Sequence, residues 1–140
     1  MKNLILSTVL GLLCLRALPQ SFYLKLSEHE AVSAITRDMG ERVNFQKSQI
    51  QNGKLSIGWD NGYSRCFLYF DEEGVSEMYC IAPKTRNTLN MLIKIFNKDD
   101  IKVSDTHWKV YDKGTTYDIH LDFVNAENKY AFYIAASGDQ

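Results

Sequence analysis

The stretch YSRCFLYFDEEGVSEMYCIA, residues 63–82, decides the fold class and supplies the first candidate site. Two runs rich in aromatic and aliphatic residues, 63–70 and 75–82, flank the polar tetrapeptide at 71–74. Two such runs around a short loop that contains glycine are typical of a β-hairpin. A three-residue loop with Gly74 in the left-handed region places Asp71 opposite Val75.

In that register the two cysteines of the hairpin face each other. Cys66 lies opposite Cys80 at a non-hydrogen-bonded pair, where the strands approach within the separation that a disulfide requires. We therefore expect a disulfide between them. A register shifted by one residue is the alternative, because it sends the thiols to opposite faces and leaves both buried and reduced. Redox catalysis is not expected, since the chain has no C-x-x-C motif.

The same register also predicts an aromatic surface. It places both cysteines on one face with Leu68, Phe70 and Met78, and it groups on the other face Tyr63, Phe67, Tyr69, Tyr79 and Ile81, with Arg65 and Glu77 among them. If helices cover the cysteine face, the aromatic face is left for a protein partner or for self-association. Alternatively, strand 55–59 and nearby loops cover part of this face, or its tyrosines are simply exposed to solvent without a binding role.

Two helices are predicted outside the hairpin. Ser27 and Glu30 have the spacing of a capping box, which predicts a helix over residues 28–39 that ends at Gly40. A second helix follows Pro83, where apolar residues spaced at i, i+3, i+4 and i+7 form one helical face: Leu89, Leu92, Ile93 and Phe96. Thr85 or Asn87 is its expected N-cap. We assign both apolar stripes to the core.

Three strand signals follow each helix: 55–59, 63–70 and 75–82, then 107–111, 116–124 and 129–136, with residues 43–46 as an additional short edge strand. The two halves resemble each other in pattern, since residues 68–70 match 121–123 and residues 79–82 match 133–136. We therefore expect an α+β fold: an antiparallel sheet of about six strands with two helices packed on one face. The units 27–83 and 84–136 then form a tandem α-β-β-β repeat.

The N-terminal residues 1–20 have the pattern of a signal peptide. Lys2 precedes a charge-free apolar run over 4–15, which is too short to span a bilayer, and Arg16 ends it. We expect cleavage between residues 17 and 21, leaving one domain over 21–140 that is periplasmic or secreted and soluble. A buried N-terminal helix is the alternative, although it would lack a polar face.

The composition fits one domain and argues against a nucleic-acid partner and against a membrane span. The 140 residues are 45% hydrophobic and 12% aromatic, enough to fill a core. Removing Lys2 and Arg16 from 16 basic residues leaves 14 against 17 acidic ones, a net charge of −3. Without a basic run, we expect no nucleic-acid partner. Since charges interrupt every later apolar stretch, we also expect no membrane span.

A polar cluster on a later strand supplies the second candidate site. Asp118, His120 and Asp122 alternate on one face of a strand, and a two-residue turn at 113–114 places His107 opposite His120. Two imidazoles and two carboxylates are able to bind zinc or to act as acid and base. The alternative is that these residues form the solvent-exposed face of an antiparallel strand and have no catalytic or binding role. In addition, a three-residue loop in place of the two-residue turn would remove the pairing of His107 with His120. No P-loop, G-x-S-x-G or H-E-x-x-H motif is present.

The C-terminal half resembles small exported proteins of Bacteroidetes whose function is unknown. The resemblance is carried by residues spread over 80–121, among them Cys80, Pro83, Leu89-Asn90, Ile93, Phe96-Asn97, Trp108, Tyr111, Gly114, Tyr117, Ile119 and Leu121. The order of elements is similar to that of tandem helix-plus-meander exported domains, the beta-lactamase-inhibitor-protein and PepSY-like folds. The resemblance implies a Gram-negative periplasm or outer surface and a binding role, and it carries over no active residue.

These patterns favour an exported, non-enzymatic binding module that acts through a sheet face on a protein or envelope partner. A small metal-dependent or acid/base hydrolase using His107, Asp118, His120 and Asp122 is the first alternative. A carrier of a small apolar ligand between helices and sheet is the second. We expect no resident cofactor, and the sequence leaves the oligomeric state open.

Overall fold

The computed structural model describes residues 20–138, so the predicted signal peptide, apart from Gln20, lies outside the described residues. After a short 3-10 turn at Gln20–Tyr23, the elements follow in the order α1 Glu28–Met39, β1 Gln46–Gln49, β2 Leu55–Asp60, β3 Ser64–Phe70, β4 Ser76–Pro83, α2 Arg86–Asp99, β5 Ile101–Ser104, β6 His107–Asp112, β7 Thr115–Val124 and β8 Lys129–Ala136. No helix among residues 20–138 is long and apolar enough to cross a membrane.

The fold class is confirmed, but the sheet has eight strands and not about six. All strands are antiparallel and their order is β1-β2-β3-β4-β8-β7-β6-β5. The additional strands β1 and β5 form the two edges, and all eight of their residues are exposed. The residues of β1 are all polar, so β1 lacks the alternation by which a strand is recognised, and β5 alternates over only four residues. Each helix therefore precedes four strands, so the repeat is α-β-β-β-β.

The two halves of the sheet are related around the central pair β4 and β8. These strands are both eight residues long and begin 53 residues apart. Trp59 pairs with Cys66, which pairs with Ile81, and in the second half Trp108 pairs with Ile119, which pairs with Ile134. The predicted match of 68–70 with 121–123 agrees with these registers. The match of 79–82 with 133–136 is displaced by one residue.

Both helices pack on the same face of the sheet. Ser27 and Glu30 form the predicted capping box, since each side chain accepts a hydrogen bond from the other residue's backbone N–H. Thr85, and not Asn87, caps α2 by accepting from the Thr88 N–H at 3.1 Å. The helices bury their apolar stripes against one face of the sheet. The core between them includes Ile35, Leu92 and Phe96 from the helices and Trp59, Trp108 and Phe132 from the strands.

The β3–β4 hairpin closes as predicted but has a different register along its length. The Asp71 N–H donates to the Val75 carbonyl at 2.8 Å, and Gly74 has φ 78°. An irregularity between Tyr69 and Phe70 then shifts the pairing by one residue, as a β-bulge does. Ser76, at the start of β4, is tied to the N-terminal segment because its Oγ donates to the Tyr23 carbonyl at 2.6 Å.

The predicted disulfide is therefore wrong in this structure. Beyond the bulge Cys66 pairs with Ile81 and Cys80 pairs with Phe67, so the two thiols lie on opposite faces of the sheet. Both cysteines are buried and free. The one-residue shift also turns Tyr79 into the core, where it is 2% exposed and its hydroxyl donates to the Cys66 Sγ at 3.5 Å.

Candidate functional site

The sheet face opposite the helices, here called the open face, carries both predicted sites. Strand alternation and the observed registers place on it one side chain in two from each strand. One row of paired residues crosses six strands: Gly58, Phe67, Cys80, Tyr133, His120 and His107. The aromatic surface and the histidine cluster are therefore two ends of one surface.

The histidine cluster lies on β6 and β7. Lys113 and Gly114 both have positive φ, as a type I′ turn requires, and this turn pairs Asp112 with Thr115. The predicted pairing of His107 with His120 is confirmed as a result. Their rings stack with centroids 4.2 Å apart and planes inclined by 18°. His107 Nε2 lies 2.6 Å from Asp118 Oδ1.

Asp118 is the buried centre of the cluster, with only 7% of its surface exposed. Lys109 Nζ lies 3.3 Å from Oδ1, and the Ser137 hydroxyl donates to Oδ2. Burial by itself would raise the pKa of Asp118, but hydrogen bonds from Ser137, His107 and Lys109 outweigh it and lower the pKa to about 2. Asp118 is therefore a carboxylate held ionised and oriented by its neighbours.

The structure brings together three of the four predicted cluster residues. One possible ligand atom from each of His107, Asp118 and His120 lies within 4.8 Å of the others. Asp122 is on the same face but is exposed, pairs with Ala131 and is not in this group. Lys109 was missed, although the register that pairs the histidines also places it opposite Asp118.

Ser137 was also missed by the sequence analysis. It lies just after β8, and its backbone N–H donates to the Thr116 carbonyl at 2.8 Å, which brings its hydroxyl to Asp118. The pairing of Tyr117 with Ala136 would have indicated this position, but that pairing depends on the register of β7 against β8. No local sequence motif marks it.

The aromatic surface differs in membership from the prediction. Phe67 and Tyr69 lie on the open face and are half-buried, and Tyr63 lies just before β3 and is 44% exposed. Tyr79 is on the helix-covered face, stacked on Trp59 with centroids 5.7 Å apart, because of the bulge. Tyr133 takes its place on the open face, through the pairing with Cys80.

Phe67 is held at the centre of the first half of this face. The Arg65 guanidinium carbon lies 5.6 Å from the Phe67 ring centroid, a cation–π distance. Opposite, a Cβ added to Gly58 would lie 3.2 Å from the ring. Gly58 thus makes room for the ring to lie over β2, beside a cavity of about 380 Å³ that both residues line.

A further cavity, of about 480 Å³, lies on the helix side of the sheet. Leu89, Ile93 and Leu121 contribute apolar lining, while Arg86 and Lys129 contribute charge. It opens at the start of α2, whereas the space between the rest of α2 and the sheet is filled by the aromatic contact of Phe96 with Trp108 and Phe132. This opening is where α2 and the sheet leave room for an apolar ligand of the predicted kind.

Comparison with known proteins gives no relative from which residue roles can be transferred. No protein-family model, curated protein or solved structure matches the chain. The function of the open face therefore has to be inferred from its own chemistry.

Proposed function

We propose that this protein is an exported, non-enzymatic binding module whose open face docks on a protein partner of the cell envelope. The observation that carries the proposal is the placement of both helices on one side of an eight-stranded sheet. Within residues 20–138, the opposite side carries no helix, and aromatic side chains lie along its centre.

The size of the open face suits a macromolecule better than a small ligand. Eight strands spaced about 4.8 Å apart, with lengths from four to ten residues and about seven on average, form a face of roughly 35 Å by 22 Å. One partner contributes about 800 Å² to an ordinary specific protein–protein interface. Small-molecule sites, in contrast, are concave and enclose most of the ligand.

The chemistry of the face also fits a protein partner. Phe67, Tyr69, Tyr133, Met78 and Arg65 belong to the residue types that are enriched at the centres of protein interfaces. Large aromatic side chains of this kind supply most of the binding free energy at such interfaces. The polar cluster at His107 and Asp118 lies at one end of the row, where charged groups would fix the orientation of the partner.

Two sequence features support export and binding. The pattern of residues 1–20 favours a signal peptide, which would deliver residues 21–140 to the periplasm or the exterior. The resemblance to exported Bacteroidetes proteins, and the helix-plus-meander order shared with the beta-lactamase-inhibitor-protein and PepSY-like folds, agree with a binding role in the envelope.

The test is capture of the partner from native envelope by the purified protein, followed by variants of the open face. Phe67→Ser and Tyr133→Ser should each abolish capture while the far-UV circular dichroism spectrum is unchanged. Tyr130→Ser is the matched control, since Tyr130 is an aromatic residue of β8 that is 46% exposed and points to the other face. Capture that survives both open-face substitutions would overturn the proposal.

A metal-dependent or acid/base hydrolase is the second candidate, favoured by the distance of 2.6 Å between His107 Nε2 and Asp118 Oδ1. An imidazole hydrogen-bonded to a carboxylate is able to accept and return a proton. The test is hydrolysis of a panel of chromogenic esters and phosphates. Activity that is lost in His107→Gln would support this candidate, and an inactive protein would count against it.

A further inference from the structure

Three potential metal ligands, His107, Asp118 and His120, meet at one end of the open face, and orienting a protein partner does not require this set of ligands. Asp118 and His120 are two residues apart on β7, so strand alternation places both on the same face. His107 is the cross-strand partner of His120 on β6. This arrangement brings three side chains from two strands over one point of the sheet.

The distances between the possible ligand atoms suit a metal ion. These atoms lie within 4.8 Å of one another, whereas donors around a tetrahedral zinc ion, each about 2.0 Å from the metal, are about 3.3 Å apart. Metal binding would require the two histidine rings to rotate out of their stack and His107 Nε2 to move slightly away from Asp118 Oδ1, which it now approaches at 2.6 Å. Both histidines are partly exposed, which leaves room for this rotation.

We propose that His107, Asp118 and His120 form a binding site for one divalent transition-metal ion, with zinc the best match. Imidazole nitrogen and carboxylate oxygen are ligands that zinc accepts, and two histidines with one acidic residue form a known ligand set for it. Three protein ligands leave one coordination position for water or for a donor from outside the chain.

The two carboxylate oxygens of Asp118 have different neighbours and would have different roles in a metal site. Ser137 donates to Oδ2, which orients the carboxylate in the way that outer-shell hydrogen bonds orient metal ligands. Oδ1 is left for the metal and is the atom nearest His107. Lys109 Nζ, 3.3 Å from Oδ1, is the competing cation, and its partly exposed side chain is able to swing into solvent when a metal binds.

Zinc binding to the purified protein tests the site directly. The protein is stripped with a chelator, loaded with zinc, separated from free metal and analysed for zinc content, and its affinity is measured by titration calorimetry. The wild type should hold one zinc ion per chain. His120→Gln should reduce the affinity by at least about tenfold. His29→Gln, which changes an exposed histidine of α1, is the matched control and should bind like the wild type.

A second variant tests whether Asp118 is itself a ligand. Lys109→Met removes the cation that competes for Oδ1, so it should raise the zinc affinity by about threefold to tenfold. Cobalt bound to the wild type should also give the visible absorption of a tetrahedral nitrogen and oxygen site. A wild type that holds no more zinc than His120→Gln, or an affinity unchanged in Lys109→Met, would overturn the proposal. Neither result depends on whether a protein partner docks.

Discussion

Cys66 and Cys80 lie on opposite faces of the sheet, because Cys66 pairs with Ile81 and Cys80 pairs with Phe67. Two residues that are fourteen apart in sequence would share a face in a regular hairpin with the predicted loop. The bulge beside Tyr69 separates them. This one irregularity keeps the two thiols apart and decides which side chains of β4 face the helices.

The first prediction concerns the thiols. Burial raises the pKa of both Cys66 and Cys80 to about 12, so almost no thiolate is present at pH 8. Iodoacetamide should leave both residues unmodified in the native protein and should modify both after denaturation without a reductant. Peptide mass spectrometry gives the measurement. A disulfide-linked peptide pair from a digest without reductant would show that the predicted register, and not the observed one, is correct.

The second prediction compares how much a buried tyrosine, Tyr79, and an exposed one, Tyr63, contribute to the free energy of unfolding. Tyr79 is stacked on Trp59 in the core, so Tyr79→Ala should lower the free energy of unfolding by about 3–5 kcal/mol. Tyr63→Ala, at an exposed tyrosine, should change it by less than about 0.5 kcal/mol. Urea denaturation measures both. Equal effects of the two substitutions would contradict the placement of Tyr79.

The third prediction concerns the contact of Gly58 with Phe67. Gly58→Ala places a methyl group 3.2 Å from the Phe67 ring and should destabilise the protein by about 1 kcal/mol. In a protein that also carries Phe67→Ala, Gly58→Ala should lower the free energy of unfolding by much less, because the ring that the new methyl group would displace is absent. A double-mutant cycle by urea denaturation measures this coupling. Additive effects would mean that the ring does not lie over Gly58.

The fourth prediction concerns Asp100, which follows α2. Burial, with a smaller contribution from Asp99, raises the pKa of Asp100 from 3.8 to about 6. The folded state therefore binds this proton more tightly than the unfolded state does. Stability falls as the pH rises from about 4 to about 6, and the loss is complete at neutral pH.

Asp100→Asn should remove that loss. It should raise the free energy of unfolding by about 2 kcal/mol at pH 7 and leave it nearly unchanged at pH 3.5, as measured by urea denaturation at the two values. Asp99→Asn is the control, because Asp99 is exposed and contributes only the lesser charge effect. A gain from Asp100→Asn that is equal at both values would contradict the raised pKa.

Features that depend on neighbouring residues were predictable from the sequence. The capping box at Ser27 and the apolar stripe of α2 follow from helical periodicity and cap chemistry. The pairing of His107 with His120 follows from a two-residue turn, whose length fixes the register. The histidine cluster was therefore within reach of sequence reasoning.

Features that depend on distant contacts were not predictable. Ser76 is held by hydrogen bonds with Tyr23 and Leu26, about fifty residues earlier, and the bulge lies beside this contact. No local pattern reports such a contact, so the cysteine pairing and the face of Tyr79 were predicted wrongly. The first edge strand, β1, was misplaced because its residues are all polar, and the second, β5, was missed because it is exposed and its alternation covers only four residues.

The pairing of β4 with β8 has a consequence for assembly. Each unit of one helix and four strands uses the other to cover the edge of an eight-residue strand, through four residue pairs from Met78 with Ala135 to Ile81 with Phe132. Only Lys84 and Thr85 separate β4 from α2. Two fragments cut there should reassociate on mixing, and concentrated chains that refold together should exchange halves to form a swapped dimer.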